Sequence, residues 1–225
     1  MWRRLPRRPA PMNSSCMETT GSMTEPLLRV LLPVADGNED IEFCALQDVL
    51  RRGGLEVTIA SLEPCSEVVL MKGLRIIPDV AIGDVASERW DAIAMAGGIP
   101  GAMNLAASTV LRSMLVAQHE AGRVIGAICL SPALVLEPAG VLANSTRATC
   151  NPLPIRTVDQ SWPADEFTRL LGDKFDPSAR VCVDQTNRIV TSQTPGTAIE
   201  YALALVAMLR GQEVAQGISD YFLVR

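Results

Sequence analysis

The chain has 225 residues, 48% of them hydrophobic and 4% aromatic, and carries a net charge of −5. That length is enough to bury a sizeable core, and the negative balance argues against nucleic acid or an anionic membrane as the main partner. No apolar stretch approaches the roughly 20 residues of a membrane span.

The first stretch, MWRRLPRRPAPMNSSCMETTGSMTEP, carries Arg3, Arg4, Arg7 and Arg8 and no acid before Glu18. We expect residues 1–27 to be a disordered Arg-rich tail and residues 28–225 to be a single α/β domain. The composition is that of an organellar transit segment. Against that, Pro6, Pro9 and Pro11 would break an amphipathic helix, and Met12, Met17 and Met23 are alternative starts. The expected location is the cytoplasm, or the mitochondrion or plastid if the tail directs import.

From Leu28 strand and helix patterns alternate. LLRVLLPVA is a continuous apolar run, the mark of a strand covered on both faces. IEFCALQDVLRRGG reads as a helix closed by Gly53 and Gly54, and LEVTIASL as the second strand. EVVLMKGLRIIPDV predicts a hairpin turning near Lys72 and Gly73. WDAIAMAGG is another buried strand, ASTVLRSMLVAQHEAGR a helix, RVIGAIC the next strand and SPALVLEPAGVL a short helix. RATC and RVCVDQTNRIVTSQ supply further strands, and TPGTAIEYALALVAMLRG a last helix with Thr194 as N-cap and Pro195 at its first position. The least regular part, 152–179, is expected to be an excursion over one face. Such alternation predicts a doubly wound, mostly parallel sheet with helices on both faces. Ligands of such sheets bind outside the carboxyl ends of the strands, here loops 36–42, 97–103, 129–132 and 192–197.

Six cysteines, Cys16, Cys44, Cys65, Cys129, Cys150 and Cys182, form no CxxC pair, so neither a disulfide scaffold nor a zinc site is expected. Cys129 closes a strand and precedes a helix. A thiol on such an elbow meets free N–H groups and the helix dipole, which can lower its pKa from about 8.5 toward the range 3.5–7.5. Cysteine is equally a small buried hydrophobe, and spacing alone leaves both readings open. The single histidine, His119, sits late in its helix, near the amino end of the strand that Cys129 closes, so a Cys–His dyad is poorly supported. Carboxylates remain. Glu39 and Asp40 read as ordinary helix N-terminal charges. Glu42 lies between Ile41 and Phe43, surroundings in which a carboxyl tends to stay protonated and can donate a hydrogen bond to a thiolate. GGIPG lacks the GxGxxG order of a dinucleotide loop.

The stretches ADGNEDIEFCALQDVLRRGGLEVTIASL, AMAGGIPGAMNL, RVIGAICLSPALVL and IVTSQTPGTAIEYALALV, in this order, resemble the ThiJ/PfpI superfamily, in the DJ-one/YajL-like branch of the Parkinson-associated deglycase. The resemblance runs from about Leu28 to Val214. It implies a flavodoxin-like α/β sandwich and a homodimer, with Cys129 as the reactive cysteine and Glu42 as the carboxyl that hydrogen-bonds it. The backbone amides of Gly98 and Leu130 are implied as an oxyanion site, with Gly97, Asn151, Pro195 and Gly196 lining the pocket. Asn151 stands where some members carry a histidine, and it cannot shuttle protons near neutral pH. The segment around 165–178 is longer than in relatives, and Lys72 falls near a pocket on the dimer side where an anion could bind.

The implied activity is glyoxalase or deglycase chemistry on methylglyoxal, glyoxal or their early adducts on proteins and nucleotides. It would release lactate or glycolate without a metal or organic cofactor. Peptidase relatives have a histidine directly after the cysteine; here Leu130 follows. The non-enzymatic alternative is an oxidative-stress sensor and chaperone that works through oxidation of Cys129. Cys150 is expected as a small buried residue, with a role as a resolving thiol left open.

Overall fold

A computed structural model describes residues 27–157 and 160–224. The Arg-rich segment 1–26, with its expected disorder and targeting role, lies outside them. The strands are β1 (Arg29–Val34), β2 (Glu56–Ser61), β3 (Val68–Val69), β4 (Arg75–Ile76), β5 (Val80–Ala81), β6 (Ala92–Met95), β7 (Val124–Ile128), β8 (Ile155–Arg156), β9 (Ser161–Trp162), β10 (Val181–Asp184) and β11 (Ile189–Ser192). The helices are α1 (Asp40–Arg52), α2 (Gly101–Ala107), α3 (Thr109–Glu120), α4 (Thr168–Leu171), α5 (Ala198–Arg210) and α6 (Gln212–Phe222).

Seven strands form the main sheet in the order β10-β11-β7-β6-β1-β2-β5. All neighbours run parallel except β10 and β11. Those two are joined by a short turn, which only an antiparallel pair permits. Helices α1, α5 and α6 form one layer, with α5 against β7, β10 and β11; α2, α3 and a helical turn at 132–136 form the other. This is the doubly wound sandwich expected from the alternation, and the flavodoxin-like one that the resemblance implies. Because both faces are covered, β6, β7 and β11 are buried at every residue, and β1 at every residue after Arg29. They therefore read as continuous apolar runs rather than alternating ones.

The predicted hairpin is present as β3–β4, with Gly73 at φ 97° in its turn. Three readings change. RATC forms no strand; it has a single bridge between Ala148 and Phe175, because a side chain, Thr191 Oγ1, takes the Thr149 N–H at 2.9 Å. The loop after β6 is cut short by α2. The last helix opens with a tight turn at Pro195–Thr197, where the Thr194 N–H donates to Thr197 Oγ1 at 3.2 Å. It ends at Gly211, whose φ of 91° turns the chain into α6. The 152–179 excursion holds the small β8–β9 hairpin and α4. Among the described residues no helix is long and apolar enough to cross a membrane.

Candidate active site

The carboxyl ends of β1, β6, β7 and β11 converge on Cys129. The residue has a φ of 65°, a left-handed conformation that costs a non-glycine residue about 1–2 kcal/mol. Its neighbours enforce it. The Cys129 N–H donates to Ser192 O at 3.0 Å, and its carbonyl accepts from Asn151 N at 2.8 Å. Beside it, Ser131 Oγ donates to Ala96 O at 2.6 Å, tying the elbow to the end of β6.

Glu42, in the first turn of α1, is completely buried. Its Oε2 accepts from Gly97 N at 2.7 Å. Its Oε1 meets no ordinary donor among the described residues, which leaves the Cys129 thiol as the group it couples to. Burial pushes the carboxyl from its ordinary 4.5 up to about 8; the Gly97 amide opposes the rise, and the charge of Glu39 adds to it. Glu39 is the N-cap of α1, its Oε2 accepting from Glu42 N at 2.8 Å.

The sulfur behaves differently from the expectation. The Cys129 thiol is pushed up, first by burial and second by the negative charge of Glu42, while the amides of Gly98 and Leu130 pull it down. Two physical reasons stand behind the correction. The residue is 6% exposed, so a bare thiolate is poorly solvated. The helix after the elbow is a wide turn of only five residues, Pro132–Leu136, closed by Glu137 N on Pro132 O at 3.1 Å, and so short a helix has little dipole to offer. The second upward push exists only while Glu42 is ionised. Burial thus favours the protonated form of both groups, and ionisation of Glu42 holds the thiol proton more tightly still.

The glycines make this contact possible. A Cβ on Gly97 would fall 2.6 Å from Cys129 Cβ, 2.9 Å from Ile128 O and 3.0 Å from Leu130 N. Gly98 has a φ of 91°, and a Cβ there would lie 2.5 Å from Gly37 O. Because the atoms met at Gly97 are mainly backbone, Gly97→Ala should cost about 1–3 kcal/mol. It should also displace the Leu130 amide, seen as a lower urea midpoint together with slowed alkylation of Cys129 by iodoacetamide.

The remaining sequence-derived residues divide. Asn151 is buried beside the elbow, but its Oδ1 accepts from Leu153 N at 2.8 Å, so the side chain shapes its own turn. Pro195 is half-buried and Gly196 exposed, one turn beyond Ser192, and the Gly196 carbonyl accepts from Arg180 at 3.0 Å. Cys150 is buried, and burial pushes its thiol to about 12. That leaves about one part in 10^5 as thiolate at pH 7, which works against a resolving role. His119 lies at the end of α3, with the whole of β7 between it and the elbow, a strand of about 16 Å. The Lys72 N–H is taken by Asp40 Oδ2 at 2.8 Å, so an acid already sits beside that turn. Among the described residues no group of three or more His, Cys, Asp or Glu is placed to hold a metal ion.

Sequence reasoning missed Asn38 and Ser131, both buried and both hydrogen-bonded into this site. The one signal was position: each sits in a loop that leaves a buried parallel strand.

Comparison with known proteins gives the chain a family. Residues 28–208 match the model of the DJ-1/PfpI family. Protein DJ-1 homolog B of Arabidopsis thaliana is 36% identical over 87% of this chain, and the chain spans 41% of that relative's length. The glutathione-independent glyoxalase DJR-1.2 of Caenorhabditis elegans is 39% identical, covering 82% of this chain and 89% of its own. The solved structure of oxidised Toxoplasma gondii DJ-1 superposes with a TM-score of 0.74 at 39% identity, covering 87% of this chain and 98% of its own. A cysteine on a left-handed elbow, facing a buried glutamate across a glycine pair, thus sits in a chain that belongs to the DJ-1/PfpI family.

Proposed function

We propose that the protein is a cysteine-dependent glyoxalase or deglycase that acts on methylglyoxal, glyoxal or their early adducts and releases lactate or glycolate. The observation that carries this reading is the arrangement of two amides, Gly98 and Leu130, and one carboxyl, Glu42, around one sulfur. The name of the Caenorhabditis elegans relative supports the substrate class.

A carboxyl near 8 is matched to working as a base at cellular pH. Ionised Glu42 takes the thiol proton as Cys129 attacks the aldehyde carbon. The alkoxide forms against the Gly98 and Leu130 amides and then accepts that proton. Glu42 next removes the hydrogen on the former aldehyde carbon, and the former ketone oxygen takes up a proton to give an enediol. Return of the hydrogen to the neighbouring carbon, with loss of the first hydroxyl's proton, turns the adduct into a thioester of lactate. Water, deprotonated by Glu42, cleaves the thioester to lactate and restores the cysteine. Methylglyoxal plus water equals lactic acid, so no electron acceptor is consumed. Adducts on a side chain would enter at the same carbon, with the amine or thiol as leaving group. A homodimer and a cytoplasmic location belong to this proposal.

Peroxide sensing is the second reading, favoured by the oxidised form of the Toxoplasma gondii relative. Methylglyoxal given to the wild-type protein without glutathione separates the two. We expect D- or L-lactate to accumulate catalytically; lactate at the level of boiled protein would overturn the enzyme reading and leave oxidation of Cys129 as the site's chemistry.

A further inference from the structure

The Gly97–Gly98 peptide is held from three sides. Its flanking Gly97 N–H is fixed by Glu42 Oε2 at 2.7 Å. Its carbonyl, Gly97 O, accepts two hydrogen bonds, from Asn38 Nδ2 at 2.7 Å and from Glu39 N at 3.1 Å. The peptide is trans, since the cis bond here is Ile99–Pro100, so the Gly98 N–H points away from Asn38. It points to the Cys129 sulfur, whose charge it stabilises.

Asn38 is itself completely buried and fixed at both ends of its amide. Its Oδ1 accepts from Ala35 N at 2.7 Å, and its own backbone carbonyl accepts from Met71 N at 2.8 Å. The fold has made room for it: a Cβ on Gly101 would fall 2.3 Å from Asn38 N and 2.6 Å from Nδ2. A buried side chain whose oxygen and nitrogen each hold a backbone partner is more than a turn former. Only a group that accepts with one atom and donates with the other can bridge Ala35 N and Gly97 O.

We propose that Asn38 is a positioning residue that aims and polarises the Gly98 amide toward Cys129, through the carbonyl of the same peptide. Hydrogen bonds in a chain strengthen one another, so donation to Gly97 O makes the Gly98 N–H a better donor. The effect is felt wherever negative charge gathers, on the sulfur and then on the alkoxide. The inference rests on the proposed reaction for its kinetic consequence, but the polarisation itself does not depend on which reagent the cysteine meets.

Removing an oxyanion donor outright costs about 10^2–10^3 in kcat, and weakening one costs less. Asn38→Ala leaves Glu39 N on the carbonyl, so we expect kcat to fall about 10-fold with KM within about twofold. We also expect the Gly98 amide proton resonance to move upfield. The pH at which iodoacetamide alkylates Cys129 should rise; Glu42 of α1 and, behind it, Glu39 are the ionisable groups facing this sulfur, and Asn38→Ala changes neither. Asn38→Asp, which keeps the acceptor for Ala35 N and loses the donor while ionised, should give the same Gly98 shift and serves if the alanine variant fails to fold. A fall in thermal midpoint with Gly98 and the alkylation profile unmoved would mean a purely structural asparagine and overturn the proposal. If both move while wild type makes no lactate, the proposal stands and the glyoxalase reading falls.

Discussion

Cys129→Ser should lose at least about 10^3-fold of lactate formation, because a hydroxyl in this position is neither ionised nor nucleophilic enough to open the reaction. The fold should survive, since serine fits the same space and its hydroxyl can use the Glu42 carboxyl. Cys44 and Cys65 supply the control. Both are exposed free thiols that form hemithioacetals with aldehydes. Neither is held between the Gly98 and Leu130 amides, so Cys44→Ser and Cys65→Ser should retain full activity by the same lactate assay. Loss in either exposed-thiol variant, with Cys129→Ser unaffected, would place the chemistry elsewhere.

Glu42→Gln should separate stability from catalysis. The carboxyl is raised from 4.5 to about 8 in the folded protein. The native state therefore holds a proton between those values that the unfolded chain releases. The stability this proton contributes is complete below pH 4.5 and is lost as pH rises through about 8. At full ionisation the gap corresponds to about 5 kcal/mol. Glutamine keeps an acceptor for the Gly97 N–H and has no charge to bury. Wild type and variant should thus have similar urea midpoints near pH 5, and the variant should be the more stable by several kcal/mol at pH 9. Activity should go the other way, falling about 10^2–10^4-fold. The wild-type rise in kcat/KM centred near pH 8 should disappear with it. A variant whose stability tracks wild type across this range would show that Glu42 is ionised throughout.

Much of this molecule is legible from its residues because the parallel sheet is covered on both sides. Burial of every position in β6 and β7 leaves apolar runs that need no knowledge of partners, and the glycine pair and the cysteine mark where those runs stop. Gly97 and Gly98 announce close approach of backbone, though not what approaches. Three features were hidden, each for a tertiary reason. Asn38 looks like a turn residue, since its partner Gly97 lies 59 positions away. The direction of the Cys129 pKa depends on how much water the whole fold excludes and on a five-residue turn that reads as a helix. Helix α6 was lost because Gly211 looks like an end, whereas its φ of 91° lets it serve as a corner.

The recessed sulfur has one more consequence. At 6% exposure Cys129 is reached only by something that can present a narrow leading end. Glyoxal, methylglyoxal and hydrogen peroxide are all of that girth. A glycated lysine on a folded protein drags a backbone and neighbours behind it, and only an extended chain end or an unfolded stretch could bring its aldehyde-level carbon to the sulfur. Under the proposed reaction we therefore expect free dicarbonyls to be turned over ahead of nucleotide adducts, and both ahead of adducts on intact globular surfaces.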